Sequence, residues 1–431
     1  MITEPGVPAL SRARCPDLRP AAPVRILHLG LGGFFRAHQA WYTHRAPDAG
    51  RWGIAAFSGR RPELARALAA QDGLYTLVTR DAAGDQHQVV GSLTAAHPGG
   101  DHAAWLRYWE QQALSVVTLT VTEAGYTRAD GQGPGLDHTR PDVAADIVAL
   151  RDDPRAPVGT AAARLLAGLA VRRASGHGPL AVVPCDNLPG NGAVLGRVVR
   201  ELAAATGRPE LVTAAEHAAY VTTMVDRITP ATTEEDLAGV RAAGGCADAA
   251  PVVTEPFSEW VLAGEFPAGR PAWDEAGARI VADVTLHEER KLWLLNGGHS
   301  LLAYAGSALG HTTVAEAVGD ARCRDWLTQW WAETSRHLRL PVHEVAAYQD
   351  ALLARFANPR IRHTLAQIAA DGSQKLPVRV LPTVRAERAR GRVPQAAARV
   401  IAAWLLHLRG ASAPVRDAAA GAACAAAGGR L

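Results

Sequence analysis

The sequence predicts two domains of different class, an α/β domain built on a doubly wound parallel sheet and then a mostly α-helical domain. Three observations carry this. Short apolar runs alternate with helical periodicity across residues 23–280. A glycine-rich turn directly follows the first run. From Thr285 the β-branched runs give way to Ala/Leu/Arg-rich helical stretches.

Taken in order, residues 1–22 are rich in Pro, Arg and Ala without periodicity and read as a loose leader. Val24 to Leu29 is a buried-strand pattern ending in glycine, and helical spacing follows through Trp41. Gly53 to Ser58 reads as a strand and Leu64 to Ala70 as a helix. Val116 to Thr122 (VVTLTVT) and Leu180 to Pro184 have the β-branched character of parallel-sheet strands. The Gly/Pro-rich stretch 264–272 precedes the domain boundary, placed at 280/281. Helical stretches are expected at 312–335, 343–356 and 395–408, with an Ala/Gly-rich tail, 411–431, that frays.

Composition excludes several classes. A net charge of +3 over 431 residues, with no basic block interleaved with aromatics, argues against nucleic-acid binding. No run approaches the roughly 18 to 20 apolar residues that a membrane helix needs. Five cysteines, at 15, 185, 246, 323 and 424, form no CxxC pair and no Cys/His pattern with zinc-ligand spacing. The expectation is a cytoplasmic protein with reduced thiols and no metal.

The basic residues are unevenly chosen. Of 45, only Lys291 and Lys375 are lysines, and asparagine occurs only at 187, 191, 296 and 358. A coding bias toward Arg and Ala accounts for this trivially. Where such a bias acts, however, a surviving lysine marks a place where arginine cannot serve, because arginine does not release its proton at working pH.

The turn Gly30-Leu31-Gly32-Gly33-Phe34-Phe35-Arg36 sits between strand and helix. Glycines let the backbone approach a pyrophosphate, and a helix N-terminus offers free N–H groups. Gly30, Gly32, Gly33, Phe34 and Arg36 are therefore the candidate cofactor contacts of a Rossmann-type domain. Phe35 stands where the third glycine of GxGxxG would be. After the second strand, Ser58-Gly59-Arg60-Arg61 replaces the usual acidic residue, which locally leaves NAD and NADP both open.

Around Lys291, a helix at about 100° per residue puts Glu288, Lys291, Asn296 and His299 within roughly 140° of arc. A polar stripe is ordinarily a solvated face. Here Leu292 and Leu295 interrupt it, which suits a partly buried cleft. A lysine desolvated in a cleft can take the proton of an alcohol as hydride leaves. Asn296 can donate to the developing alkoxide, His299 can orient the hydroxyl and Glu288 can pass the proton to solvent. Asn187 follows a strand in CDNLPGNG, where crevices form, although Asp, Asn, Pro and Gly also make plain turns. Asn191 reads as a turn residue or a cofactor contact. Asp226 either binds substrate hydroxyls or pairs with Arg227, and Lys375 lies in a turn-like setting from which it could reach substrate.

Eight motifs in order carry a resemblance from Ile26 to about Leu406: GLGGFFRAHQA (30–40), QDGLYTLV (71–78), VTLTVTEAGY (117–126), CDNLPGNG (185–192), MVDRITP (224–230), EPFSEWV (255–261), KLWLLNGGHS (291–300) and DGSQKLPVRVLP (371–382). The chain resembles the polyol-specific long-chain dehydrogenase/reductase, or mannitol dehydrogenase, family. The resemblance implies Lys291 as general base, Asn187 with Asn296 as the pair that stabilises the oxyanion, and His299 and Asp226 as substrate contacts. Glu288 would be the proton relay. It also implies a monomer without metal, and Arg60 aligns with an arginine often found in members that use NAD. Gln367 replaces an arginine present in some mannitol-oxidising members, and QIAADGSQKLP is closer to the fructuronate reductase (mannonate oxidoreductase) branch. A keto-uronate substrate is thus expected ahead of mannitol or another polyol. Two rivals fit less well. A silent dinucleotide sensor should lose the base or the amide pair, and a zinc-dependent alcohol dehydrogenase should show zinc ligands.

Overall fold

The apolar runs become strands buried on both faces in the computed structural model, which describes residues 7–59, 61–128, 135–410, 414–417 and 419–426. Among these the strands are β1 (Val24–Leu29), β2 (Gly53–Phe57), β3 (Tyr75–Arg80), β4 (Asp85–Val90), β5 (Leu93–His97), β6 (Val116–Leu119), β7 (Leu180–Pro184), β8 (Ala218–Tyr220), β9 (Thr222–Asp226), β10 (Val252–Thr254), β11 (Glu259–Ala263) and β12 (Arg279–Ile280). The chain divides into two units, 1–80 with 85–284, and 81–84 with 285–431.

In the first unit a parallel sheet runs in the order β5-β2-β1-β6-β7-β8. Counted along the chain, its members stand third, second, first, fourth, fifth, sixth. This is the doubly wound Rossmann order, and its direction of winding reverses between β1 and β6. Successive side chains of a strand face opposite sides, so Leu27 and Leu29 enter one apolar layer with Trp105, Leu166 and Val198. Ile26 enters the other with Phe35, Trp260 and Trp273. Smaller sheets, β10-β3-β4 and β12-β11-β9, complete the unit.

Three local expectations are corrected. The helix expected through Trp41 is two helices, Gly33–Ala37 and Gln39–Arg45, broken at His38. The VVTLTVT strand ends at Leu119, and Thr120 to Thr122 leave the sheet. From residue 8 the leader is anchored rather than loose. Leu10 N–H donates to the Ala247 carbonyl, and the Arg12 guanidinium caps the carbonyls of Gly91 (2.8 Å) and Leu93 (3.3 Å).

The second unit is helical. Its helices include Val314–Gly319, Ala321–Ser335, Val342–Phe356, Gly372–Arg379, Leu381–Ala389 and Gln395–Leu408. The stretch expected as one helix over 312–335 breaks at Asp320, whose carboxylate accepts the N–H groups of Arg322 and Cys323 and so starts a new helix. The tail is tied down through Arg416, whose carbonyl accepts from Asp371 N–H, and through Asp417, which accepts from Ser373. It also forms a helix over Ala420–Ala426. No helix among the described residues is long and apolar enough to cross a membrane.

Candidate functional site

At the switch point of the first unit lies a cavity of about 520 Å³, lined by the turn after β1, the exit of β6 and the loop after β7. Gly30 has φ 110°, and a Cβ there would stand 2.0 Å from the Thr120 carbonyl oxygen, so only glycine lets β1 and β6 close up. Gly32 and Gly33 line the cavity with bare backbone, and a Cβ on either would come no nearer than 3.4 Å to its neighbours, in ordinary contact. The first turn of the following helix has N–H groups without intrahelical partners. These features suit a pyrophosphate.

Of the expected cofactor residues, Gly30, Gly32, Gly33 and Phe34 line this cavity. Arg36 does not. Its guanidinium is buried, donates to the carbonyls of Gly32 and Ala250, and lies over the Tyr75 ring. Phe35 explains the missing third glycine, because its ring stacks on His28 with centroids 3.5 Å apart and fills the space between helix and sheet. His28 is wholly buried, bonded to Thr118 Oγ1 at 2.7 Å, and burial pushes its pKa down to about 3. It is a neutral support under the phosphate turn.

A carboxylate that sequence reasoning passed over shapes the cavity wall. Asp186 accepts from the N–H groups of Val121 (3.2 Å) and Thr122 (2.8 Å) and from the Tyr126 hydroxyl (3.0 Å). Burial raises its pKa, and those three bonds partly offset the rise. The clamp holds Thr122 at φ 65° and ψ 164°, a conformation that is strained for a β-branched residue. Asn187, next in sequence, lines the same cavity and is exposed. Asn191 is neither a simple turn residue nor a lining residue. Its amide is buried, donating to the carbonyls of Asp186 (3.1 Å) and Thr223 (3.0 Å) and accepting from Thr223 N–H (2.9 Å), so it pins the loop. Asp226 is buried at the end of β9, while Arg227 is taken up by the carbonyls of Ala37 and Glu255.

In the second unit the lysine segment is not a uniform helix. Thr285–Arg290 is α-helical, Lys291–Asn296 is a π turn, Gly297–Leu301 returns to α, and Leu302–Gly306 is again π. Completing a π turn takes more residues than an α turn. Asn296 is therefore rotated toward Lys291, and the four polar residues occupy a narrower arc than roughly 140°. Glu288, Lys291 and Asn296 are half-buried. The Asn296 Oδ1 is buried with no hydrogen-bond partner among the described residues, an open valence that a ligand or water can fill.

His299 is buried, stacked on Phe356 at 4.5 Å and edge-on to His363 at 5.0 Å, so its ring plane is fixed. Neither neighbour was legible in the sequence. Lys375 Nζ donates to the carbonyls of Ala370 (2.5 Å) and Ile368 (3.4 Å), and burial with the nearby Arg379 lowers its pKa. Folding also assembles a group that spacing did not show. His311, Asp320 and Cys323 bring ligand-type atoms within 4.8 Å of one another. The Asp320 carboxylate there already caps a helix and pairs with Arg322.

The mannitol dehydrogenase Rossmann domain model matches residues 24–275, and the mannitol dehydrogenase C-terminal domain model matches 283–420. The chain is 38% identical to the D-arabinitol 4-dehydrogenase of Ralstonia nicotianae over 399 residues, 90% of this chain and 84% of that protein. To the D-mannonate oxidoreductase of Escherichia coli K12 it is 37% identical over 395 residues, covering 90% and 80%. Its structure resembles that of the Pseudomonas fluorescens mannitol 2-dehydrogenase ternary complex with NAD and D-mannitol, with a TM-score of 0.79 and 32% identity, covering 96% and 88%.

Proposed function

The chain belongs to the mannitol dehydrogenase family of oxidoreductases, and from that premise we propose that it interconverts the secondary alcohol of a sugar acid with its ketone, in a reaction of the fructuronate/mannonate type. Nicotinamide dinucleotide, when bound, supplies the hydride acceptor. The observation that carries the reading is the switch-point cavity lined by Gly32 and Gly33, in a chain whose other unit carries a lysine and a half-buried asparagine on one helical face.

Each residue has an assigned task. Lys291 takes the hydroxyl proton as hydride leaves, and gives one back in the reverse direction. The Asn187 and Asn296 amides donate to the oxygen as negative charge builds on it. His299, with its ring plane fixed by Phe356, orients the hydroxyl. Glu288 passes the proton onward to solvent. Asp226 and Lys375 contact the distal part of the substrate, and Lys375 keeps donor capacity beyond its two carbonyls because an ammonium carries three N–H groups.

For the cofactor, NAD is proposed ahead of NADP. Arg60, on which that preference rests, lies outside the described residues. We also propose a monomer acting in the cytoplasm, the first of which sedimentation at working concentration tests directly.

A second reading, a polyol dehydrogenase acting on mannitol or arabinitol, is favoured by the D-arabinitol 4-dehydrogenase relative, as similar as the mannonate enzyme. Oxidation of NADH in parallel with fructuronate, tagaturonate and fructose separates the two. The expected result is the highest kcat/KM on a keto-uronate. Preference for fructose would reverse the order, and NADPH outperforming NADH would overturn the cofactor assignment.

A further inference from the structure

The π turn that carries Lys291 disturbs the backbone ladder of its own helix. Gly297 N–H bonds to the carbonyls of Leu292 and Leu294, passing over Trp293 between them. In a regular α-helix Gly297 would serve Trp293 itself. The skipped carbonyl is not left empty. Trp330 Nε1, from the helix Ala321–Ser335, donates to the Trp293 oxygen at 2.9 Å, and Trp331 Nε1 donates to the Leu294 oxygen at 3.0 Å. Both tryptophans are buried.

Two glycines make room for these indoles. A Cβ on Gly297 would lie 2.7 Å from Trp330 Cζ2 and 3.0 Å from its Nε1. A Cβ on Gly298 would lie 2.9 Å from Leu327 and 3.3 Å from Trp331 Nε1. The Asn-Gly-Gly sequence is thus the socket for the tryptophan pair.

What the π turn does follows from its register. In an α-helix Lys291 and Asn296, five residues apart, would point about 140° away from each other. In π register, residues five apart are bonded across a turn and lie on one side. Reversion to α register would rotate the segment before the bulge by about 100° relative to the segment after it. We infer that Trp330 and Trp331 are positioning residues. Trp330 occupies the carbonyl that the π turn skips and Trp331 adds a second donor to the next one, and together they hold Lys291 and Asn296 on one face. This rests on the reading of Lys291 as the base.

The test uses Trp330→Phe and Trp331→Phe, which keep a ring and remove the donor. Trp105→Phe is the matched control, since its indole donates at 2.9 Å to the Arg164 carbonyl, inside the other unit. Thermal stability, KM for NADH and the pH profile of kcat are measured for all, with Lys291→Ala in parallel. In the Trp330 and Trp331 variants kcat should fall by about 10- to 100-fold. The limb of the pH profile that reports the base should also move, while KM for NADH stays. The control should lose stability without moving that limb. An unmoved profile in Trp330→Phe, an equal shift in the control, or failure of both variants to fold would overturn the inference, the last by making the indoles general supports. Full turnover in Lys291→Ala would instead sink the reading beneath it.

Discussion

The crevice at the end of β1 and the lysine helix fix their chemical groups by opposite means. In the crevice the backbone is shaped from outside its own secondary structure. Asp186 draws in two N–H groups, Thr122 is held in a strained conformation, and Gly30 is bare because a carbonyl occupies the space of its side chain. In the lysine helix the ladder itself is altered, and a side chain of a neighbouring helix satisfies the carbonyl that the alteration releases. A loop of the first kind can be tightened residue by residue. Changing a helix of the second kind at one point rotates everything before that point.

The largest effect that would sharpen this contrast is expected from Lys291→Ala. Turnover should fall about a thousandfold or more, while NADH binding, followed by fluorescence titration, is kept. Near-normal turnover would break the division of labour between the units. Next comes Gly30→Ala, where a Cβ 2.0 Å from a carbonyl oxygen and a φ of 110° should cost about 3 kcal/mol or more and abolish NADH binding. Gly50→Ala, with nothing within 4 Å, should be neutral when both variants are compared by thermal unfolding.

A smaller effect concerns acid. His28 has a folded pKa of about 3, below its ordinary 6.5. Between those values the unfolded chain binds the proton and the native one does not, so stability rises with pH across the window and is lost as pH falls. From pH 7 to 5 this amounts to about 2 kcal/mol, measurable by urea unfolding. His28→Gln should flatten that slope, and an unchanged slope would remove His28 as its source. The smallest change is expected for Lys375→Met. KM should rise less than about tenfold for a keto-uronate and not at all for fructose. Equal effects on both would leave Lys375 only its carbonyl-capping role.

Much of the crevice was legible from short-range pattern. Glycines after an apolar run, helical spacing beyond them and repeated β-branched segments report local requirements, which a strand and its turn impose on adjacent residues. The inward turn of Arg36 is not legible from its position in the motif, because Ala250, which takes its guanidinium, is more than 200 residues away. The role of Asp186 is not legible either, because the N–H groups it accepts from, at Val121 and Thr122, belong to a distant segment. A uniform helix gives the wider arc through Lys291, and no spacing within the segment announces a π turn.

The sequence by itself determined the α/β and helical classes, the phosphate turn and the candidate base, because periodicity, glycine and the choice of lysine over arginine are properties of single residues and their near neighbours. Only the tertiary structure decided the strand order that creates the switch point and the carboxylate that strains Thr122. It alone decided the register of the lysine helix, because an orphaned carbonyl there is met by an indole 37 residues away. A hydrogen bond between distant segments leaves no period in either of them.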